Sequence, residues 1–231
     1  MTIFCIENLK RLTLILLLIL FLPCVGQENF TAYWQPSAAV NYDVTSMYSH
    51  NFSLQNRNYI YNNESVSIEV RQIDAIHFSK LDIKDNQSLA FGVLYRFRKN
   101  FDGGTNELRL TQQYNLNFKP KIVRYGHRIR SEQRISKENT IHRFRYRFSL
   151  DFPLQGEKLD VGEPYFVGNF ESLLSVAKEQ RPQYDVRFAL NFGWKLTEKT
   201  KLQIGTEYRF EDYSQNLEQV LFFLTSLNLS L

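Results

Sequence analysis

The run Glu107-Leu108-Arg109-Leu110-Thr111-Gln112-Gln113-Tyr114-Asn115-Leu116-Asn117-Phe118 decides how the rest of the chain is read. Leu108, Leu110, Tyr114, Leu116 and Phe118 share one parity, while Glu107, Arg109, Thr111, Gln113, Asn115 and Asn117 share the other. Successive side chains of a β-strand point to opposite faces, so this period of two describes a strand between two unlike environments, one apolar and one wet. The run is 12 residues long. An average strand has about 5 or 6, and a tilted strand crossing a membrane needs about 9 to 11.

Working outward, the same pattern recurs. Arg124, Arg128, Arg130, Glu132 and Arg134 oppose Val123, Tyr125 and Ile129, and Arg143, Arg145, Arg147 and Asp151 oppose Phe144, Tyr146, Phe148, Leu150 and Phe152. Residues 183–196 set Tyr184, Val186, Phe188, Leu190, Phe192, Trp194 and Leu196 against Asp185, Arg187, Asn191 and Lys195. Residues 201–212 set Leu202, Ile204, Tyr208 and Phe210 against Gln203, Glu207, Arg209 and Glu211, and a last strand carries Leu221, Phe223, Leu227, Leu229 and Leu231 on one side. Toward the N-terminus, 87–98 places Leu89, Phe91, Val93, Tyr95 and Phe97 together, and 64–80 places Val66, Ile68, Val70, Ile76 and Phe78 together. Weaker strands fall at 38–44 and 49–61. Direct counting finds about eleven strands separated by turn formers such as Asn62-Asn63, Asp102-Gly103-Gly104 and Lys119-Pro120.

A soluble sandwich also alternates, but its strands are shorter and its polar faces meet bulk water. Here the apolar faces carry aromatics near strand ends, as Tyr114 with Phe118 and Trp194 with Tyr184, and the polar faces carry rows of arginine with acidic partners. These features suit a membrane barrel with aromatic girdles and a polar lumen. Lipid tolerates no unpaired sheet edge, so the sheet must close. The expectation is an all-β, antiparallel, up-and-down transmembrane β-barrel over 27–231, with twelve strands or alternatively ten, because bacterial barrels have even numbers and both termini on the periplasmic side. On that basis the turns at 197–199, 153–159, 119–120 and 81–86 lie at the periplasmic end, and the loops at 99–105, 136–139, 172–181 and 212–217 at the other.

Residues 1–26 read as a cleaved signal peptide. Lys10 and Arg11 precede an uncharged apolar run from Leu12 to Leu22, too short for a membrane helix, and the cut is expected after Gly26. Pro23 stands where a lipoprotein signal wants a small residue, which argues against lipidation of Cys24. Cys5 and Cys24 are the chain's two cysteines. The exported domain therefore has no disulfide, thiolate metal site or cysteine nucleophile. The formal charge is +4. The basic residues gather between Lys119 and Arg147, a pattern that elsewhere indicates nucleic acid or anionic lipid; in an exported barrel the charges face inward, and with arginines and aromatics on opposite faces no stacking groove for nucleic acid forms.

Three stretches carry a family likeness: Asn106-Glu107-Leu108-Arg109 with Gln112-Gln113; His127-Arg128-Ile129-Arg130-Ser131-Glu132-Gln133-Arg134; and Arg143-Phe144-Arg145-Tyr146-Arg147-Phe148. In this order they resemble domain of unknown function family 2490, a group of exported proteins regarded as outer-membrane barrels. Tyr33-Trp34 and the stretches 163–170 and 181–196 extend the likeness over most of the exported chain, while 38–61 matches poorly. The resemblance implies an outer-membrane barrel and transfers no reaction, ligand or catalytic residue.

The chemistry expected of such a chain lies in its lumen. Glu107, Arg109, Arg124, Arg128, Arg130, Glu132, Arg134, Arg143, Arg145, Arg147, Asp151, Asp185, Arg187, Glu207, Arg209 and Glu211 form a candidate charge network. Charges withdrawn from water must be paired, which favours a network filling a narrow interior. The alternative is an anion-attracting pore wall. Arg128 and Arg130 are the expected partners of Glu132, and Glu69 is a further acid expected to face inward. His127 and His142 share parity with apolar residues, His77 is expected to face the lumen, and no spacing singles out a serine nucleophile, so no enzyme is expected; lipid hydrolysis is the weakest alternative. No cofactor or metal is expected, since no ligand constellation or phosphate loop appears. The expected partners are outer-membrane lipid, the barrel-assembly machinery and a small anion, and the expected location is the outer membrane of a Gram-negative cell.

Overall fold

The computed structural model describes residues 29–231; the expected signal peptide lies outside them. The chain forms β1 (Phe30–Asp43), β2 (Tyr48–Asn62), β3 (Ser65–Val66), β4 (Val70–Lys84), β5 (Gln87–Phe97) and β6 (Glu107–Phe118). It continues with β7 (Arg124–Ser136), β8 (Thr140–Pro153), β9 (Pro164–Ala177), β10 (Gln183–Lys195), β11 (Thr200–Glu211) and β12 (Glu218–Ser230). From β4 to β12 each strand pairs antiparallel with the next, and β4 pairs with β2, which pairs with β1. Every connection is short enough to make neighbours of consecutive strands, as an up-and-down wall requires.

The wall closes between β1 and β12, which run parallel from Phe30 opposite Gln219 to Asn41 opposite Ser230. Twelve strands form, but eleven are staves of the barrel. The twelfth, β3, pairs only with the end of β2 through the Asn63-Glu64 turn, where both residues take positive φ. The twelve strands expected are therefore present, while the closed wall itself has an odd number of staves, equal to the direct count of about eleven. Even parity is required only if every neighbour is antiparallel. A parallel ladder also satisfies backbone N–H and C=O groups, at slightly lower stability per residue, so an odd sheet closes without leaving an edge. One consequence is that Asn29 lies at the opposite end of the barrel from Leu231.

The ends sort as the alternation requires. Turns 85–86, 119–123, 154–163 and 196–199 share one end with 44–47, and loops 98–106, 137–139, 178–182 and 212–217 share the other with β3. The segment 172–181, expected as a loop, is strand as far as Ala177. Leu173 breaks the polar series by placing an apolar side chain inward, where it is buried. In β4, the register with β2 slips at Arg71, since Arg57 pairs with Gln72 and Asn58 with Val70. One extra residue in a strand inverts every later position. Ile76 and Phe78 therefore line the interior, and His77 faces outward, contrary to the sequence expectation.

Burial is inverted relative to a soluble protein. Phe91, Phe144, Phe188, Leu190, Phe192 and Ile204 are exposed on the outer wall, whereas Asp74, Arg96, Glu107, Glu132, Glu171 and Arg187 are buried inside. Aromatic rings mark both ends of the wall: Tyr184 meets Tyr213 at 6.2 Å at one end, and Trp194, opposite Pro164, lies near the other. Two inward glycines make room for rings from the neighbouring strand. A Cβ on Gly92 would run into Phe78, and one on Gly193 into Tyr165.

Candidate functional site

The site is the interior of the barrel. Alternation aims every second side chain of each stave inward, and the register of neighbouring staves decides which charges meet. On the first half of the wall, Arg96 of β5 forks Asp74 of β4 at 2.8 and 2.7 Å. Glu107 accepts hydrogen bonds from Arg109 and from Arg134, the latter at 3.0 and 2.7 Å. On the second half, Glu132 meets Arg145 at 2.9 Å and Arg130 at 3.5 Å. Glu171 of β9 takes Arg145 at 2.7 Å and Arg147 at 3.2 Å. Arg187 meets Asp185 at 3.3 Å and Glu211 at 3.6 Å, and Arg209 joins Glu211 at 3.3 Å and Glu207 at 2.5 Å. The result is a belt of ion pairs running around the wall from β7 to β11.

Near the closing seam the lumen carries aromatic partners as well as acidic ones. Tyr33 stacks on Phe222 at 5.0 Å and packs with Val220. Arg209 lies 3.8 Å over the Phe222 ring and Arg57 4.7 Å over it, while Arg71 stands over Tyr33 at 5.0 Å. A guanidinium over an aromatic face is attracted by the ring quadrupole, so these rings hold Arg57, which otherwise bonds to the neutral Gln35, and add to the carboxylates that hold Arg209 and Arg71, the latter through Asp102 at 3.6 Å.

Within the belts the structure places Glu107, Arg109, Arg130, Glu132, Arg134, Arg145, Arg147, Asp185, Arg187, Glu207, Arg209 and Glu211. Arg124 and Asp151 pair at 2.8 Å at the end that carries turn 119–123, where Arg124 is largely solvated. Of the arginines that the sequence singles out, Arg128 and Arg143 bond only to neutral groups, Arg128 to Asn115 Oδ1 at 3.0 Å and Arg143 to Ser175 Oγ at 3.0 Å. Arg128 is thus not the partner of Glu132; Arg145 is, because Glu132 and Arg145 lie diagonally across the β7–β8 ladder while Arg128 sits two inward positions further along. Glu69 lies exposed ahead of β4 and joins no belt.

Asp74, Arg96, Glu171 and Arg57 are inward groups that sequence reading missed. The parity of Arg96 against Phe91, Val93 and Tyr95 was a usable signal. Asp74 was hidden by the slip at Arg71, and Glu171 by the loss of alternation at Leu173.

The family model described as a protein of unknown function (DUF2490) matches residues 31–220. The chain belongs to this family. The matched span begins in β1, ends in β12 and takes in the lumen ion pairs from Asp74 to Glu211 of this DUF2490 barrel. No curated protein matches the chain.

The ion pairs leave a cavity of about 540 Å³, lined by thirteen arginines and five carboxylates in this DUF2490 chain. Part of that imbalance is offset from just beyond the lining, where Glu107 holds Arg109 and Arg134 and Asp102 holds Arg98. Loop 98–106 borders the cavity through Arg98. Burial raises the Asp102 carboxyl, but hydrogen bonds from Arg98, at 2.5 Å through Nη2, and from the Gly104 N–H outweigh it and hold the acid below the ordinary carboxylate range. Outside the barrel wall, His50 Nδ1 lies 3.0 Å from His77 Nε2 and 3.3 Å from Ser79 Oγ, and His127 Nδ1 meets the Tyr146 hydroxyl at 2.8 Å. His142 is exposed on the same outer wall. Among the described residues no group of three or more His, Cys, Asp or Glu side chains comes close enough to hold a metal ion.

Proposed function

We propose that the chain is an integral β-barrel of the Gram-negative outer membrane, exported through a cleaved signal peptide, whose ion-pair network closes the lumen and makes it a structural and binding element rather than an open pore. One observation carries this reading: a wall that is apolar outside and charged inside, with Glu132 and Glu171 buried and each held by two arginines. Apolar residues exposed all around a closed sheet suit a hydrocarbon surrounding, and the paired charges suit a narrow, poorly hydrated interior. Outer-membrane lipid is then the partner of the outer face, and the barrel-assembly machinery inserts the chain.

The charge imbalance of the cavity favours a second reading, a narrow anion-preferring channel. Purified full-length mature protein in a planar bilayer separates the two: the closed reading expects no stable conductance, whereas sustained chloride-selective conductance that falls when Arg128 and Arg145 are neutralised would replace it with the channel. Outer-membrane location is tested by fractionation, with resistance to carbonate extraction and faster gel migration before boiling expected; recovery in the soluble periplasm overturns it. We read the chain as noncatalytic. The contact between Ser79 and His50 gives lipid-ester hydrolysis an observation of its own, so an esterase activity abolished by Ser79→Ala would overturn that reading.

A further inference from the structure

Four pairs of arginines stand directly opposite one another on neighbouring staves: Arg109 with Arg134, Arg130 with Arg145, Arg187 with Arg209, and Arg128 with Arg147. Like charges directly opposite in a sheet repel, and three of these pairs carry the same remedy, one carboxylate that touches both members. Glu107 binds Arg109 and Arg134. Glu132 Oε1 lies 3.5 Å from Arg130 and 2.9 Å from Arg145. Glu211 Oε1 lies 3.6 Å from Arg187 and 3.3 Å from Arg209.

The fourth pair lacks this remedy. Arg147 uses its Nε on Glu171, at 3.2 Å, and Arg128 uses its Nε on the neutral Asn115, at 3.0 Å. No carboxylate among the described residues touches both, and the terminal nitrogens of both guanidinium groups are left without a protein hydrogen bond on the wall of the cavity. Two forks side by side present the geometry that a carboxylate or phosphate group accepts in bidentate fashion.

We propose that Arg128 and Arg147 form a binding site for a small free oxyanion, a carboxylate or phosphate group, which bridges them as Glu107, Glu132 and Glu211 bridge the other three pairs. The site deepens the closed, binding reading of the lumen and rests on it. The cavity of about 540 Å³ has room for a metabolite-sized molecule bearing such a group. Arg130, on the next inward position of β7, and Arg145 opposite it add positive potential without sharing the ligand, because Glu132 already occupies them.

The test uses the refolded full-length mature barrel in detergent, its folding verified by heat-modifiable mobility, with inorganic phosphate and acetate as separate probes in equilibrium dialysis. Saturable binding of either oxyanion at one site per barrel is expected, weakened at least about tenfold by Arg128→Gln and by Arg147→Gln, and unchanged by Arg124→Gln at the solvated end. Arg128→Lys keeps the charge but loses the fork, and weakened binding in that variant separates bidentate recognition from simple attraction. Because Arg128→Gln removes one of two unbridged like charges, it is expected to fold at least as well as the parent. A heat-modifiable barrel that binds neither probe, or that binds equally well in both glutamine variants, overturns the site while leaving the membrane reading intact. Sustained conductance of the parent protein in the bilayer experiment overturns the closed reading instead.

Discussion

Arg145→Ala is the sharpest perturbation of the lumen. Arg145 joins two buried acids through separate nitrogens, Glu132 at 2.9 Å and Glu171 at 2.7 Å, and all three side chains are almost wholly withdrawn from solvent. Each such charge-assisted bond contributes about 1.5 to 3 kcal/mol. Glu171 retains Arg147 at 3.2 Å, whereas Glu132 retains only the long contact with Arg130 at 3.5 Å. Removing one partner of a buried pair costs about 3 to 5 kcal/mol, largely from the charge left behind. The residual partners place Arg145→Ala near the lower end of that range, about 3 kcal/mol. The assay is reversible denaturant unfolding of the barrel in lipid vesicles, followed by tryptophan fluorescence and by gel mobility. Combining Arg145→Ala with Glu132→Gln is expected to recover part of the loss, because the stranded charge is then gone. A change within about 0.5 kcal/mol for Arg145→Ala, the range of an ordinary surface substitution, would refute burial of the belt and mean that lumen water screens these pairs.

Other perturbations test other parts of the architecture. Replacing Ala38 and Leu227, which face each other across the parallel seam, by cysteine should give an intramolecular disulfide on oxidation that joins the first and last staves, read as a mobility shift reversed by reductant; a ten- or twelve-stave closure would leave the thiols free. Gly193→Leu should displace the Tyr165 ring, which packs against the missing Cβ and accepts a hydrogen bond from Gln203 at 2.9 Å; a loss of about 1 to 3 kcal/mol typical of overpacking is expected, and unchanged unfolding would show that the ring has another place to go. The lowered Asp102 carboxyl sets a pH dependence for loop 98–106. A depressed acid contributes its full stability above its unfolded value of about 3.9 and loses it as pH falls through the lower folded value. Limited proteolysis of the loop should therefore stay slow down to about pH 4 and accelerate only below it, and Asp102→Asn should make the loop as sensitive at neutral pH; equal protection in that variant would remove Asp102 from the account.

What the sequence determined by itself was faces. The alternation in β6, β7, β8, β10 and β11 assigned Arg109, Arg130, Arg145, Arg187 and Arg209 to the polar side from parity alone, and the length of those runs set them apart from strands of average length. Parity counts position along one strand, so it fails wherever a residue is inserted or an apolar side chain turns inward. The slip at Arg71 exchanged the expected directions of His77 and Phe78, and Leu173 made the strand holding Glu171 look like a loop. Neighbours across the sheet are a different kind of information. Which acid meets which arginine, and that Glu132 is held by Arg145 while Arg128 faces Arg147 without a carboxylate, depends on register between staves, which the pattern of one strand does not carry. Closure with eleven staves was likewise a tertiary decision: alternation does not distinguish a parallel neighbour from an antiparallel one, and only the meeting of β1 with β12 satisfies the last two rows of backbone groups.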